Sequence, residues 1–204
     1  MKKFELTSET KINIFGKKLF RIKALISFAD VEAGETGGWV EKEGNVNQSG
    51  NAWVYGDAMV YGNAEVYGDA MVYGDAKVYG DAEVSGNAKV YGDAKVYGDA
   101  MVSGDAKVSG DAEVSGNAKV YGDAMVYGDA MVYGDADYTT IHGFGTQFRT
   151  TTFFRCKDKK VRVACGCFFG TIPEFREQVK NTRKGKIAEE YLMIADLMEN
   201  HFEK

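Results

Sequence analysis

Residues 58–63 read Ala-Met-Val-Tyr-Gly-Asn, and close copies of this hexad fill the middle of the 204-residue chain. Glycine recurs at every sixth position from 44 to 134, and Asp or Asn follows each of these glycines. Alanine keeps the same period from 52 to 136, and valine keeps it from 54 to 132. A fixed short period of this kind indicates a solenoid, in which each repeat packs only against its neighbours.

One hexad is long enough for a short strand and a corner. Because side chains alternate along a strand, Ala58 and Val60 are expected to face inwards while Met59 and Tyr61 face outwards. Glycine and the Asp or Asn after it both tolerate a positive φ, so we expect the chain to turn there. Such strands are too short for hairpins, and each is predicted to pair in parallel with its copy in the next coil.

The hexad pattern resembles that of hexapeptide-repeat proteins, which fold as a left-handed parallel β-helix. This resemblance implies three hexads per coil, so that residues 45–137 would form about five coils; the left-handed sense comes from the resemblance alone. The expected fold class is mostly β, with a left-handed parallel β-helix solenoid at residues 45–137. It would be flanked by an N-terminal β cap at residues 1–44 and a small C-terminal α+β domain at residues 138–204.

The N-terminal cap is predicted from short runs of strand-forming residues. Three strands are expected, at Lys2–Leu6, Lys11–Ile14 and Leu19–Ile26, with a turn at Phe15–Lys17. A cover is needed there because the open end of a solenoid exposes its core and unpaired strand edges.

The C-terminal region has a different pattern. Gln147–Cys156 and Val161–Phe168 predict a hairpin, and residues 171–174 read Thr-Ile-Pro-Glu, a capping box that opens a helix through Val179. A second helix is predicted from Lys186 to Phe202. Its apolar stripe comprises Ile187, Tyr191, Ile194, Ala195, Met198 and Phe202.

A resemblance extends over essentially the whole chain. The segments Arg21–Leu25, Gly37–Glu41 and Thr150–Phe175, together with the repeat, are similar to uncharacterised hexapeptide-repeat proteins of bacteriophage and bacterial genomes. The resemblance implies a phage or mobile-element origin and carries over no catalytic residue. The chain departs from this group at 182–184, which read Thr-Arg-Lys where a histidine is expected.

Charge and composition exclude several classes of function. Residues 45–137 carry a formal net charge of −10, against +1 for residues 1–44 and +4 for residues 138–204. Phosphate contact needs Lys and Arg, and in the repeat acidic side chains outnumber basic ones by 15 to 5, so direct nucleic-acid binding by the repeat is not expected. No long apolar run is present, which predicts neither a signal peptide nor a membrane span. The odd number of cysteines favours a reducing cytoplasm, the host cytoplasm for a phage-encoded protein.

Catalytic, cofactor and metal sites are not expected. Hexapeptide-repeat acyltransferases use a histidine of the repeat as general base beside an extruded loop. Here His142 and His201 both lie outside the repeat, which has no insertion. Cys165 and Cys167 are expected to share one face of a strand, and with Cys156 and His142 they are candidate zinc ligands. The C-x-C spacing favours buried thiols instead.

Outward tyrosines are the first candidate binding residues. With three hexads per coil, two faces would carry nearly continuous tyrosine columns, namely Tyr55, Tyr73 and Tyr91 on one and Tyr61, Tyr79 and Tyr97 on the other. The third face would read Tyr67, Ser85, Ser103 and Tyr121. Exposed tyrosine is typical of protein interfaces, while stacked tyrosine also stabilises parallel strands, so both interpretations stay open.

One corner column would be wholly acidic, comprising Asp57, Asp75, Asp93, Asp111 and Asp129. Like charges one coil apart raise pKa values or attract cations, although the same residues also suit a turn. We expect a non-enzymatic binding or structural protein that presents a rod to a protein, such as a host protein, or to itself as a dimer or trimer. An anti-defence inhibitor whose acidic rod occludes a basic nucleic-acid-binding site is one alternative, and an acyltransferase-like enzyme is another.

Overall fold

The computed structural model describes residues 2–203, and two-residue strands dominate the middle of the chain. Each of these strands, β4 to β17, ends on the valine of its hexad. In chain order they are Trp53–Val54, Met59–Val60, Glu65–Val66, Met71–Val72, Lys77–Val78, Glu83–Val84, Lys89–Val90, Lys95–Val96, Met101–Val102, Lys107–Val108, Glu113–Val114, Lys119–Val120, Met125–Val126 and Met131–Val132.

Parallel ladders join each strand to the strand 18 residues ahead, as Met59 lies opposite Lys77 and Lys77 opposite Lys95. We number the three faces in the order in which the chain visits them from Met59 onwards, so that face 1 begins with β5. Face 1 contains β5, β8, β11, β14 and β17; face 2 contains β6, β9, β12 and β15; face 3 contains β4, β7, β10, β13 and β16. Three hexads therefore complete one coil, and the predicted β-solenoid of about five coils is confirmed.

The alanine and valine of every hexad form the core. All of them from position 52 to 132 are fully buried, which confirms the predicted alternation. The backbone joins one coil to the next, since the amide of Tyr61 donates to the carbonyl of Val78 at 3.0 Å and that of Met59 to Ala76 at 2.9 Å. Every coil therefore satisfies the polar backbone of its neighbours while it buries two small side chains per hexad.

Glycine alone takes the unusual backbone conformation at the corners. Gly80 has a φ of +78°, and a Cβ at this position would lie 2.9 Å from the amide nitrogen of Gly98 in the next coil. The corner lies at the predicted Gly-Asp or Gly-Asn step, and only its glycine takes a positive φ. In residues 2–203, the only other residues with positive φ are Ala29, Phe148 and Lys159, none of which lies in the repeat.

The N-terminal segment forms an antiparallel extension of face 1. Its strands are β1 (Phe4–Ile12), β2 (Lys18–Ala24) and β3 (Thr36–Val40), and β3 pairs in parallel with β5. The first two predicted strands form one continuous strand, β1. Its pairing with β2 continues on both sides of a register shift between Leu6 and Thr10.

The C-terminal region is a four-stranded antiparallel sheet followed by two helices. The strands are β18 (Tyr138–Phe144), β19 (Arg149–Arg155), β20 (Val161–Cys165) and β21 (Phe168–Thr171). The predicted hairpin is β19 with β20, and sequence reasoning did not identify β18 and β21 as its neighbours. The helices are α1 (Ile172–Thr182) and α2 (Gly185–Phe202), close to their predicted bounds. No helix within residues 2–203 has the length and hydropathy needed to span a bilayer.

The C-terminal sheet lies between the helices and the last coil. Successive residues of β19 face opposite ways, so that Phe153 joins the helical cluster while Phe154 joins the core of the solenoid. The buried Thr152 hydroxyl accepts the amide of Met125 at 3.0 Å. The backbone amide of Lys157 donates to the carbonyl of Asp129 at 3.1 Å. The C-terminal sheet thereby supplies hydrogen-bond partners for backbone groups of the last coil, which has no further coil to pair with.

Candidate functional site

Stacked tyrosines lie on two faces of the solenoid. On face 1 the ring centroids of Tyr61 and Tyr79 are 5.0 Å apart, and those of Tyr79 and Tyr97 are 4.9 Å apart. On face 3 the rings of Tyr73 and Tyr91 are 4.8 Å apart, and all three pairs are parallel to within 3°. The coil spacing therefore sets the ring spacing, and each ring packs face to face against its neighbour.

The ends of these columns are covered by other parts of the chain. Phe15, from the turn between β1 and β2, lies 6.3 Å from Tyr61 and 6.1 Å from Tyr79, and Tyr61 is only 6% exposed. The prediction that Tyr61 is exposed is therefore wrong, and its burial raises the pKa of the phenol. Tyr55 is partly buried against the core, and Phe169 covers Tyr127 at 4.6 Å.

Four tyrosines in the middle of the rod stay partly exposed, and we call them the tyrosine surface: Tyr73, Tyr79, Tyr91 and Tyr97. The all-Asp column lies between them, because the chain passes from Tyr73 through Asp75 to Tyr79 as it turns from face 3 to face 1. The structure thus places the acidic column directly after the face 3 tyrosines, while Lys77 and Val78 separate Asp75 from Tyr79 along face 1.

The acidic column differs from the other two corners. In the mixed columns an asparagine donates to the aspartate of the next coil, as from Asn51 to Asp69 at 2.8 Å and from Asn63 to Asp81 at 3.0 Å. The all-Asp column has no such side-chain hydrogen bond from one coil to the next, because ionised carboxylates can only accept. Its members are Asp57, Asp75, Asp93, Asp111 and Asp129.

The two ends of the acidic column have partners within the chain. Asp57 accepts from the indole nitrogen of Trp39 at 3.3 Å and lies 3.6 Å from Arg21, while the backbone of Asp129 contacts the C-terminal sheet. The middle three are exposed and have no ion pair within residues 2–203: Asp75, Asp93 and Asp111. These three side chains are accordingly free to meet a cationic partner.

An ion-pair network closes the tyrosine surface on the C-terminal side. Glu113 lies 3.0 Å from Lys95 and 3.7 Å from Lys157, and its carboxylate accepts from the hydroxyl of Tyr97 at 3.3 Å. Burial opposes ionisation of Glu113, but the two ammonium groups and the hydroxyl outweigh it, so its pKa is lowered. A charged Glu113 therefore holds the last ring of the face 1 column in place.

Tyrosines without a stacking neighbour behave differently. Tyr121 follows Ser103 on face 2 and is 61% exposed, and Tyr133 follows Ser115 on face 1 and is 46% exposed. On face 2 the hydroxyl of Tyr67 donates to Glu83 at 2.8 Å instead of stacking on another ring. Stacking within the chain therefore orders the tyrosine surface in a way that face 2 does not share.

The histidines lie outside the repeat, and Cys156 lies at the end of the acidic column, next to Asp129. His142 belongs to β18, where its Nδ1 is 3.1 Å from the hydroxyl of Thr150, and His201 packs on Phe202 in α2. Burial raises the pKa of the Cys156 thiol to about 12.

The expected placement of Cys165 and Cys167 on one strand face is wrong, because β20 ends at Cys165 and Gly166 begins a turn. In the part of the chain that the structure describes, no three His, Cys, Asp or Glu side chains are arranged to hold a metal ion.

Comparison with known proteins points to the repeat. A family model described as the YdcK beta solenoid repeat matches residues 94–110 and 118–134, which lie within the stacked coils. No curated protein matches the chain. The similarity thus concerns the repeat unit itself and agrees with the observed parallel ladders. The chain is therefore a repeat protein of the β-solenoid type.

Proposed function

We propose that the protein is a non-enzymatic binding or structural protein that presents a rigid rod to a protein partner or to another copy of itself. The tyrosine surface carries this proposal, because it combines parallel aromatic rings on faces 3 and 1 with exposed aspartates at the corner between these faces. Tyrosine is enriched at protein interfaces, where its ring packs and its hydroxyl finds a polar partner.

Pre-ordering supports the tyrosine surface as an interface. Rings held at 4.8 to 5.0 Å by their neighbours have already lost rotamer freedom, so docking costs less entropy than it would for isolated side chains. Aromatic anchors at interface centres typically contribute about 2 kcal/mol or more each.

Self-association as a dimer or trimer is one form of this proposal. The turn that covers Tyr61 also exposes Ile12 and Ile14, which are 73% and 87% accessible. These side chains extend the aromatic surface of face 1 towards the N-terminal end. An exposed apolar extension of a rod face is typical of a surface that packs against another subunit or a foreign protein.

The finer assignment follows the resemblance of the whole chain. We propose a left-handed hexapeptide-repeat solenoid of phage or mobile-element origin that acts in the host cytoplasm and does not bind nucleic acid directly. The matched repeat supports the solenoid part of this assignment. The N-terminal strands support a capping role, because Phe4 and Phe28 pack edge-on against Trp53 of the first coil at 5.8 and 5.4 Å.

The acidic column favours a second candidate function. Asp75, Asp93 and Asp111 repeat at the coil spacing of about 4.8 Å and have no ion pair within residues 2–203. Such a row could occupy the basic groove of a nucleic-acid-binding protein and inhibit it. The same edge would then serve the inhibitor, with charge rather than aromatic contact providing most of the affinity.

A matched set of variants tests both candidates. The change of Tyr73, Tyr91 and Tyr97 to Ser copies the residue found at the same hexad position in Ser85 and Ser103, so the fold should persist. We expect at least about tenfold weaker self-association or partner binding. The control is Tyr121→Ser with Tyr133→Ser, which removes unstacked rings outside the tyrosine surface.

The assays are light scattering for self-association and affinity capture from the native host, with circular dichroism as the folding control. Unchanged assembly and capture in the folded triple variant would refute a binding role for the tyrosines. A variant with Asp75, Asp93 and Asp111 changed to Asn separates the two functions. If the aspartate variant no longer captures the partner while the tyrosine variant still does, the inhibitor function is favoured.

A further inference from the structure

A groove of about 600 Å³ lies on the opposite side of face 3 from the tyrosine surface. Its floor is built from outward positions of three successive coils, occupied by Lys89, Lys107 and Met125. Its wall is formed by Phe148, in the hairpin turn between β18 and β19, and by Arg149, the first residue of β19. The groove therefore exists only because the C-terminal sheet overhangs the last coils.

Cationic groups in this groove lack acidic partners. Lys89 and Lys107 lie opposite each other in the ladder, about 4.8 Å apart along the rod, and Arg149 lines the same space. No carboxylate within residues 2–203 lies within 4.0 Å of any of these three cationic groups.

Two acidic side chains also line the groove. Asp105 accepts from the amide of Asn87 at 3.0 Å, and Asp123 accepts from the hydroxyl of Thr150 at 3.5 Å. The groove thus has three cationic groups against two carboxylates, and this excess of positive charge suits an anion.

Phe148 provides an independent reason to regard the groove as a site. It has a φ of +49°, a conformation that non-glycine residues seldom adopt, and its ring is 66% exposed at the rim. Strained backbone of this kind is concentrated at ligand-binding positions, where the surrounding structure maintains it. Phe148 and Met125 together offer an apolar surface beside the cationic groups.

We propose that this groove binds a small organic anion, with its phosphate or carboxylate between Lys89, Lys107 and Arg149 and its apolar body against Phe148 and Met125. The volume falls in the range of about 300–1,000 Å³ that is typical of small-molecule sites. Phosphate and carboxylate present the same chemistry to lysine and arginine, so the probes below distinguish them.

The test is an NMR titration of the whole protein with phenyl phosphate, benzoate and inorganic phosphate, followed by amide resonances. We expect an aromatic probe to shift resonances of the groove and to bind more tightly than inorganic phosphate. Tighter binding of phenyl phosphate than of benzoate assigns a phosphate ligand, and the reverse assigns a carboxylate.

Matched variants make the result specific. Lys89→Gln with Lys107→Gln should weaken the aromatic probe by at least about tenfold. Lys77→Gln with Lys119→Gln removes the same charge from the same hexad position outside the groove and should leave affinity nearly unchanged. Phe148→Asn, which tolerates positive φ, should abolish the preference for the aromatic probe over inorganic phosphate.

Three outcomes would overturn the proposal. The first is that neither aromatic probe shifts groove resonances. The second is equal loss of affinity in the two lysine pairs, which would indicate unspecific attraction. The third is equal affinity of wild-type protein for inorganic phosphate and for both aromatic probes.

Discussion

A comparison of two glycines tests whether contact between coils, rather than backbone conformation alone, requires glycine at the corners. Gly80 and Gly122 have similar φ values of +78° and +66°. A Cβ on Gly80 would lie 2.9 Å from the amide nitrogen and 3.2 Å from the carbonyl oxygen of Gly98, whereas a Cβ on Gly122 would meet no atom within 4 Å. The change to alanine therefore isolates the contact between coils.

Both variants should destabilise the protein, but to different extents. The left-handed conformation costs an L-residue about 1–2 kcal/mol, and this applies equally to Gly80→Ala and Gly122→Ala. Overpacking against backbone atoms adds about 1–3 kcal/mol for Gly80→Ala alone, because the neighbouring coil can move only by breaking its ladder. We expect Gly80→Ala to reduce the free energy of unfolding by about twice as much as Gly122→Ala or more.

Urea unfolding followed by circular dichroism measures this difference, with the transition midpoint as the readout because a solenoid need not unfold in two states. Gly56→Ala serves as a second open corner, with a φ of +58° and no atom within 4 Å of the added Cβ. Equal midpoints for Gly80→Ala and the two open-corner variants would refute the reasoning.

Three further predictions concern the ends of the rod. Asn45→Ala should cost about 1–3 kcal/mol in an unfolding titration, because the buried amide donates to the carbonyls of Gly62 and Ala64 at 3.1 and 2.8 Å; an unchanged midpoint would contradict this. Mass spectrometry after mild alkylation should find Cys167 modified and Cys156 protected, since the first is exposed and burial raises the pKa of the second to about 12; equal labelling in the native protein would disprove it. The backbone amide of Thr171 lowers the pKa of Glu174 below its ordinary 4.5. Ionised Glu174 should therefore stabilise the wild type above pH 4.5, and this stabilisation should be lost as the pH falls through the lowered pKa. Glu174→Gln should remove this acid dependence in pH-dependent thermal melts, and an identical acid profile in wild type and variant would count against it.

The sequence determined the repeating part of the structure. Valine and alanine alternate with outward residues at a fixed period, so one arrangement buries every valine and alanine from position 52 to 132. The resemblance to hexapeptide-repeat proteins implied three hexads per coil, and the 18-residue register follows from that number. The capping box at Thr171 and the apolar stripe of α2 likewise depend on residues close in the chain. These features could be predicted because short-range geometry sets them.

The tertiary structure decided which outward residues remain accessible. Tyr61 and Tyr79 occupy the same hexad position, yet only Tyr61 is buried, in a cluster with Leu19 and Trp39 of the N-terminal segment. Likewise, Trp53 is fully buried at a position where Met71 is only partly so. No local pattern distinguishes these residues, because their burial depends on where distant segments dock.

The functional surfaces depend on the same long-range packing. The groove beside Lys89 and Lys107 forms only where the turn at Phe148 overhangs the coils, more than 40 residues further along the chain. The repeat period fixes the spacing of the lysines but contains no information about that turn. Local periodicity therefore specifies the rod, whereas docking of the end segments decides which parts of its surface can bind.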